Sequence, residues 1–219
     1  MPTRSPLWLS ALALLTLACG GKPAAPTPAR SSAPPREPIK PLITTGMAGQ
    51  EIALTPITLV VAMDTLGRIT PLNNRVTALA WADSIVGEAF LGRSPEVKWV
   101  LPHELRKFAR RAPTVAPDPD RMGQSLLRAP ELKDVPDPLR SQLRSLMALV
   151  GGRFAMVPAA LSFVPDTSGL VRAELSLVLA DTRSGKIIWR TVGWGLGDTP
   201  ARALSAAMAF VLPVGLGQL

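Results

Sequence analysis

Cysteine, histidine and tyrosine are almost missing from this chain of 219 residues, which has 1 Cys, 1 His and no Tyr. So few ligands can build neither a Cys/His zinc site nor a disulfide framework. A Ser-His-Asp or Cys-His catalytic set would have to run through His103 alone. Aromatic residues make up 5% of the chain, too few for an interleaved stacking platform of the kind single-stranded nucleic acid needs. Long apolar runs are scarce as well: beyond the first segment none reaches the about 18 residues of a transmembrane helix, despite a mean hydropathy of +0.24. Acidic residues are outnumbered, 16 Asp and Glu against 24 Lys and Arg, so the formal net charge is +8. What the chain does have in quantity is proline, 23 residues, and glycine, 17. The composition points to no metal, no cofactor and no catalytic residue.

The lone cysteine sits at a telling place. Arg4 precedes an apolar stretch from Leu7 to Leu15, and the segment ends Leu15-Thr16-Leu17-Ala18-Cys19-Gly20. This is the layout of a secretion signal, with the cysteine where a signal peptidase cuts. It resembles the lipobox of bacterial lipoproteins, in which the cysteine becomes the acylated first residue. The usual leucine and small residue appear here in swapped order, as Thr16 and Leu17. The resemblance implies lipidation of Cys19 and anchoring in a membrane, since each buried CH₂ contributes about 0.8 kcal/mol. Gly20 follows the cysteine where an Asp would be the retention signal, which implies the periplasmic face of the outer membrane in a double-membrane host. Without the lipid the protein would be secreted or periplasmic.

Residues 1–18 are therefore expected to be a lipoprotein signal peptide and 19–54 a disordered, Pro/Ala-rich tether. The tether is poor in large apolar residues and cannot offset its ordering entropy by burial. Residues 55–219 are expected to form a single α/β domain.

Within it, Ile57 to Met63 reads as a strand covered on both faces. Asn74 is a natural N-cap for a helix that stops near Gly92. Val97–Leu101 reads as a strand, and Pro102 opens a short basic helix to Arg111. A strand–helix–strand order makes a parallel pair the default. Residues 112–138 read as an irregular, proline-rich insertion, followed by a helix from Asp137 to Val150. Arg153 to Val164 reads as a strand at an edge or with a bulge, because Pro158 cannot donate to a ladder. Val171 to Leu179 alternates apolar and polar residues, Asp181–Gly185 makes a hairpin turn, and Lys186 to Trp194 is the last strand. Thr199 and Pro200 open the final helix. The expected fold class is α/β with a mixed sheet, in the order β-α-β-α-α-β-β-β-α.

Leu175-Ser176-Leu177-Val178-Leu179-Ala180-Asp181-Thr182-Arg183-Ser184-Gly185-Lys186-Ile187-Ile188-Trp189, with Leu149 to Pro158 before it, resembles a hairpin found in one group of envelope proteins. The group comprises the TolB amino-terminal domain, the lipoprotein activators of penicillin-binding proteins, and the curli-secretion lipoproteins. The resemblance covers residues 57–212. It implies helices packed on a mixed sheet and a non-catalytic role in docking envelope machinery. A subunit of an oligomeric outer-membrane secretion assembly is the alternative. A periplasmic hydrolase is a further one, with few residues to serve it.

The residues themselves point the same way. Asp181, Gly185 and Trp189 suit a turn and its core packing: a carboxylate for turn N–H groups, a residue free to take positive φ, and an indole in phase with Ile187. Arg106, Lys107, Arg110 and Arg111 form the densest basic cluster, either a solvated helix face or a site for phosphates, lipid head groups or an acidic protein. Gly193 to Asp198 superficially matches a phosphate loop but lacks its spacing and its lysine, so a flexible strand exit is expected. Asp64 reads as a turn cap or a ligand contact, and Trp81 and Trp194 as core or docking surface. The expected partners are the membrane, through Cys19, and an envelope protein. Export argues against nucleic acid, and no small-molecule ligand is specified.

Overall fold

The computed structural model describes residues 38–63 and 65–213; Cys19 and Asp64 lie outside them. The sheet is built around strand β4, Phe154–Pro165. On one side β4 pairs parallel with two short strands in line, β1 (Glu51–Leu54) and β2 (Val60–Ala62). On the other it pairs antiparallel with β5 (Val171–Asp181), which pairs with β6 (Ile187–Gly197). Strand β3 (Lys98–Val100) lies parallel beyond β1, giving the order β3-β1-β4-β5-β6 with β2 also on β4. This is the expected α/β class with a mixed sheet. The parallel partner of Val97–Leu101 is β1 and not the apolar run from Ile57, which forms a strand only at Val60–Ala62, pairs with β4 and is not covered on both faces, since Val61 is 48% exposed.

Folded structure starts before residue 55. Glu51–Leu54 is an interior strand with Ile52, Ala53 and Leu54 buried, and Leu42 is buried as well. Four residues show no periodicity, and the Pro/Ala-rich stretch ahead of them masks their character.

Helices cover both faces. On one, α1 (Arg75–Arg93) and α4 (Pro200–Val211) pack Ala82, Val86, Phe90, Leu204, Met208 and Val211 over the leucines of β5 and over Leu161 and Phe163 of β4. On the other, α2 (Pro102–Arg111) and α3 (Leu139–Val150) bring Leu105, Leu139, Leu143 and Leu146 against a sheet face of small residues, among them Ala53, Ala155, Ala159 and Ala180. The segment 112–138 is irregular but not an appendage. Met122, Leu127 and Val135 from it are buried in this second core, and residues Gln124–Arg128 form a 3-10 turn.

The starts of the helices follow from the sequence. Asn74 Oδ1 accepts from the N–H groups of Val76 (2.9 Å) and Thr77 (3.2 Å). Thr199 Oγ1 accepts from Arg202 N–H at 3.3 Å, with Pro200 at the first position. Glu104 accepts from Leu101 N–H at 2.9 Å. Helix α1 continues through Gly92 to Arg93, and Ser94 ends it.

Pro158 sits in a strand paired on both sides, and a register shift between Pro158 and Ala160 accommodates it. On its β1/β2 side, Thr55 N–H reaches Met156 O at 2.9 Å and Leu161 N–H reaches Leu59 O at 2.9 Å. Between those bonds the neighbouring chain leaves the sheet, so the missing N–H of the proline faces a gap in the ladder. The bulge also switches the phase of the strand. Met156 before it and Leu161 and Phe163 after it all face α1 and α4.

A second register shift, between Leu179 and Ala180, does the same at the start of β6. It places Ile187 in the α3-side core and Trp189 in the α1/α4-side core. The two are therefore not in phase, as simple alternation would have it. Trp189 nevertheless packs on the cluster of Leu175, Leu177 and Leu179.

The glycine run is strand, not a flexible exit: β6 extends to Gly197. Gly193, Gly195 and Gly197 alternate on the face under α4. A Cβ on Gly195 would stand 2.3 Å from Ala207 N and 2.6 Å from Ala203 O, so the helix backbone rests on the strand itself. Gly195→Ala is expected to cost about 3 kcal/mol, because neither backbone can yield. Gly92→Ala, at a helical position with open space around it, is expected to add about 0.5 to 1 kcal/mol. Urea unfolding of the two variants against the parent chain checks both signs.

Candidate functional site

The gap opposite Pro158 is filled by side chains. The stretch between β1 and β2 leaves backbone groups without strand partners, and burial makes each of them costly. Ile57 N–H donates to Asp83 Oδ1 at 2.7 Å. Pro56 O lies 3.5 Å from Gln124 Nε2, which also donates to Pro119 O at 2.9 Å. Thr58, at the exposed end of the stretch, has its carbonyl oxygen accept from Arg75 at 3.2 Å. Asp83 is buried on α1, and its second oxygen pairs with Arg106 at 2.7 Å. Arg106 then holds Asp120 in a two-pronged contact, 2.9 Å from Nε and 2.7 Å from Nη2. Burial pushes the Asp83 carboxyl above its ordinary value of 3.8, against the pull of Ile57 N–H and Arg106. The two carboxylates hold the Arg106 guanidinium firmly protonated, Asp120 most strongly.

Arg106 therefore stands apart from the basic cluster expected on α2. It is the tie between α1, α2 and the 112–138 segment, and its charge is spent on two carboxylates. Lys107, Arg110 and Arg111 remain exposed on the same helix. The sequence offered no sign of this division, because the partners of Arg106 lie 23 and 14 residues away.

A groove of about 380 Å³ runs between α1 and α2 beside this network, lined by Asp83, Ser84, Glu88, Leu101, His103 and Arg106 among others. His103 is exposed there, and Ser84 Oγ donates to Ala80 O at 3.0 Å. Among the described residues no group of three or more His, Cys, Asp or Glu is gathered to hold a metal ion. No described helix is long and apolar enough to cross a membrane.

The β5–β6 turn is closed by side chains from the turn itself, from Arg153 ahead of β4 and from α3. Asp181 Oδ1 accepts from Arg183 N–H at 3.0 Å, and Oδ2 pairs with Arg153 at 2.7 Å. Gly185 has φ +79, and Arg140 lies so close over it that a Cβ would meet Nε at 2.4 Å. Arg140 and Arg144 of α3 donate to the turn carbonyls of Ser184 (2.8 Å) and Arg183 (2.9 Å), fastening the hairpin to the helix layer. Arg153, ahead of the turn N–H bonds, holds the Asp181 carboxyl well below the usual carboxylate range.

Trp81 is half-buried against Phe163, with ring centroids 5.8 Å apart, so it belongs to the core. Trp194 stacks on Phe210 of α4 at 6.2 Å, by the outer edge of the sheet.

No family model and no curated protein matches the chain. Solved structures do. The C-terminal domain of LpoB from Salmonella enterica is 14% identical with a TM-score of 0.37, over 68% of this chain and 83% of that one. The PelC dodecamer from Paraburkholderia phytofirmans is 13% identical with a TM-score of 0.33, over 82% and 93%. The lipoprotein GNA1162 from Neisseria meningitidis is 16% identical with a TM-score of 0.32, over 67% and 80%. At these values the likenesses assign the chain neither a family nor a function.

Asp83→Ala strips Ile57 N–H of its acceptor and α1 of its tie to α2. The expected loss is about 3 kcal/mol, read by urea unfolding, and a loss under 1 kcal/mol would contradict the role given to Asp83. Asp181 has a depressed carboxyl, so its stabilisation is present above its ordinary value of 3.8 and disappears as pH falls through the lower folded value. Asp181→Asn should therefore melt below the parent at pH 7, and the difference should shrink towards pH 2. A difference that is constant with pH would remove the ion pair from the account.

Proposed function

We propose that the chain is a lipid-anchored cell-envelope protein whose α/β domain docks a periplasmic or outer-membrane protein complex without catalysing a reaction. The observation that carries this reading is Cys19, the single cysteine of 219 residues, placed directly after the apolar segment of a secretion signal. The Pro/Ala-rich stretch behind it suits a spacer between a bilayer and a domain. The domain itself spends its buried charges on structure: Asp83 and Arg106 close the gap in the sheet, and Asp181 closes a hairpin turn. The hairpin from Leu175 to Trp189 resembles in sequence that of the TolB-like and lipoprotein-activator group, and that resemblance implies a docking role. Gly20 after the cysteine supports the outer membrane as the destination.

Cys19→Ser in a double-membrane bacterial host tests the anchor. The parent should incorporate radiolabelled palmitate and sediment with the membranes, and the variant should do neither. A variant that stays in the membrane fraction would overturn the anchor.

A further inference from the structure

The charges of the domain are matched at one end and unmatched at the other. Where β5 begins and β6 stops, Arg172 pairs with Asp166 and Arg202 with Asp198. At the β5–β6 turn Asp181 is taken by Arg153, but other cations gather around it. Lys133, Arg140, Arg144, Arg183 and Lys186 stand there, and among the described residues none of them pairs with a carboxylate. Arg140 and Arg144 give N–H groups to the turn carbonyls of Ser184 and Arg183, which fixes two guanidinium groups in place and leaves their charge uncancelled. Lys133 is brought to the turn by its backbone: its carbonyl accepts from Ile187 N–H at 2.9 Å, and the next residue, Asp134, bridges to Lys186. The exposed acidic residues of this end are Glu131, Asp134 and Asp137, and Asp137 accepts from Ser141 Oγ at 2.8 Å.

The N-terminal arm enters the domain at the same end. Lys40 N–H donates to Thr191 Oγ1 at 2.9 Å, and Lys40, Lys133 and Lys186 line one groove of about 590 Å³. Ile188, 54% exposed, lies among them. Arg190 is not counted with these cations, because its guanidinium donates to the carbonyls of Ala129 and Leu132. Ahead of Pro38, residues 20–37 lead back to Cys19, a stretch that spans at most about 65 Å. The place where the arm joins is the part of the domain that an anchor on Cys19 draws towards the bilayer. The cations are spread over a turn, a helix start and the arm. They do not converge on one point, as a small anion would require, and a spread of this kind suits a diffuse anionic surface.

We propose that this end of the domain seats on anionic lipid head groups of the membrane that holds the chain, with Lys40, Lys133, Arg183 and Lys186 at the contact and Arg140 and Arg144 behind them. The proposal rests on the lipid-anchored reading and adds to it the orientation of the domain. Tethering keeps the head groups at a high effective concentration, so a modest attraction per charge holds the contact. Lys107, Arg110 and Arg111, the cluster densest in sequence, belong to α2 and have no part in it.

The full chain is purified in detergent, its acylation read by mass, and reconstituted into nanodiscs of phosphatidylcholine alone or with about 30% phosphatidylglycerol. Lysines are labelled with a low dose of acetic anhydride and read by peptide mass. On the anionic discs Lys40, Lys133 and Lys186 should label at least fivefold more slowly than on the neutral ones, while Lys98 and Lys107 label alike on both. Salt at about 1 M, where the screening length is about 3 Å, should remove the difference. Combining Lys133→Glu, Arg183→Glu and Lys186→Glu should restore the labelling of Lys40 on anionic discs. Combining Lys107→Glu, Arg110→Glu and Arg111→Glu, an equal change in charge, should not. Equal labelling of parental Lys133 and Lys186 on both discs, or equal effects of the two triple variants, would overturn the proposal, and an acylated mass in that same sample would leave the anchor standing. A chain that carries no acyl mass and stays off the discs would overturn both. Protection of Lys133 and Lys186 that appears on neutral discs only when an acidic envelope protein is added would give this face to a protein and overturn the lipid contact.

Discussion

A proline in an interior strand sets the terms for much of this fold. Pro158 cannot donate, so the strand beside it has to part, and β1 and β2 are the two halves of what would otherwise be one strand. The parted stretch carries peptide groups into the core with no ladder to meet them. Leaving them unpaired would cost more than a typical hydrogen bond contributes, so side chains have to be brought from elsewhere. Asp83 comes from α1 and Gln124 from the segment ahead of α3. Asp83 then needs a cation, and Arg106 supplies it from α2. The mutual placement of two helices and one long irregular segment thus follows from one absent N–H.

The other organising contact is steric. Three glycines at alternate positions of β6 let α4 approach until backbone meets backbone, and Ala203 and Ala207 keep the helix side equally thin. The contact uses up one face of the edge strand. Apolar side chains that would ordinarily be covered, Val192 and Phe210, end up at the outer edge of the sheet.

Much of this was legible in the residues. Asn74, Pro102 and Thr199 mark helix starts by chemistry that acts within three or four positions, and Asp181 and Gly185 mark their turn the same way. Pro158 announced a bulge without saying what the bulge would demand of its neighbours. Alternation failed where an extra residue entered a strand, and so Ile187 and Trp189 fell on opposite faces. The short β1 was hidden by the composition ahead of it. Arg106 was hidden by distance along the chain: only the fold brings Asp83 and Asp120 to it. Which strand lies at the edge depends on the sheet order, a property of no single segment.

The N-terminal arm of the domain has a mechanical meaning. Lys40 N–H is held by Thr191 Oγ1 at 2.9 Å, and Leu42 N–H by Val211 O at 2.8 Å. Tension applied to the chain from its N-terminal side would reach the domain at these two bonds first. It would load the junction of β6 with α4 before reaching β1 and the centre of the sheet. The part of the molecule that takes up the strain is thus the packed junction of the last strand with the last helix.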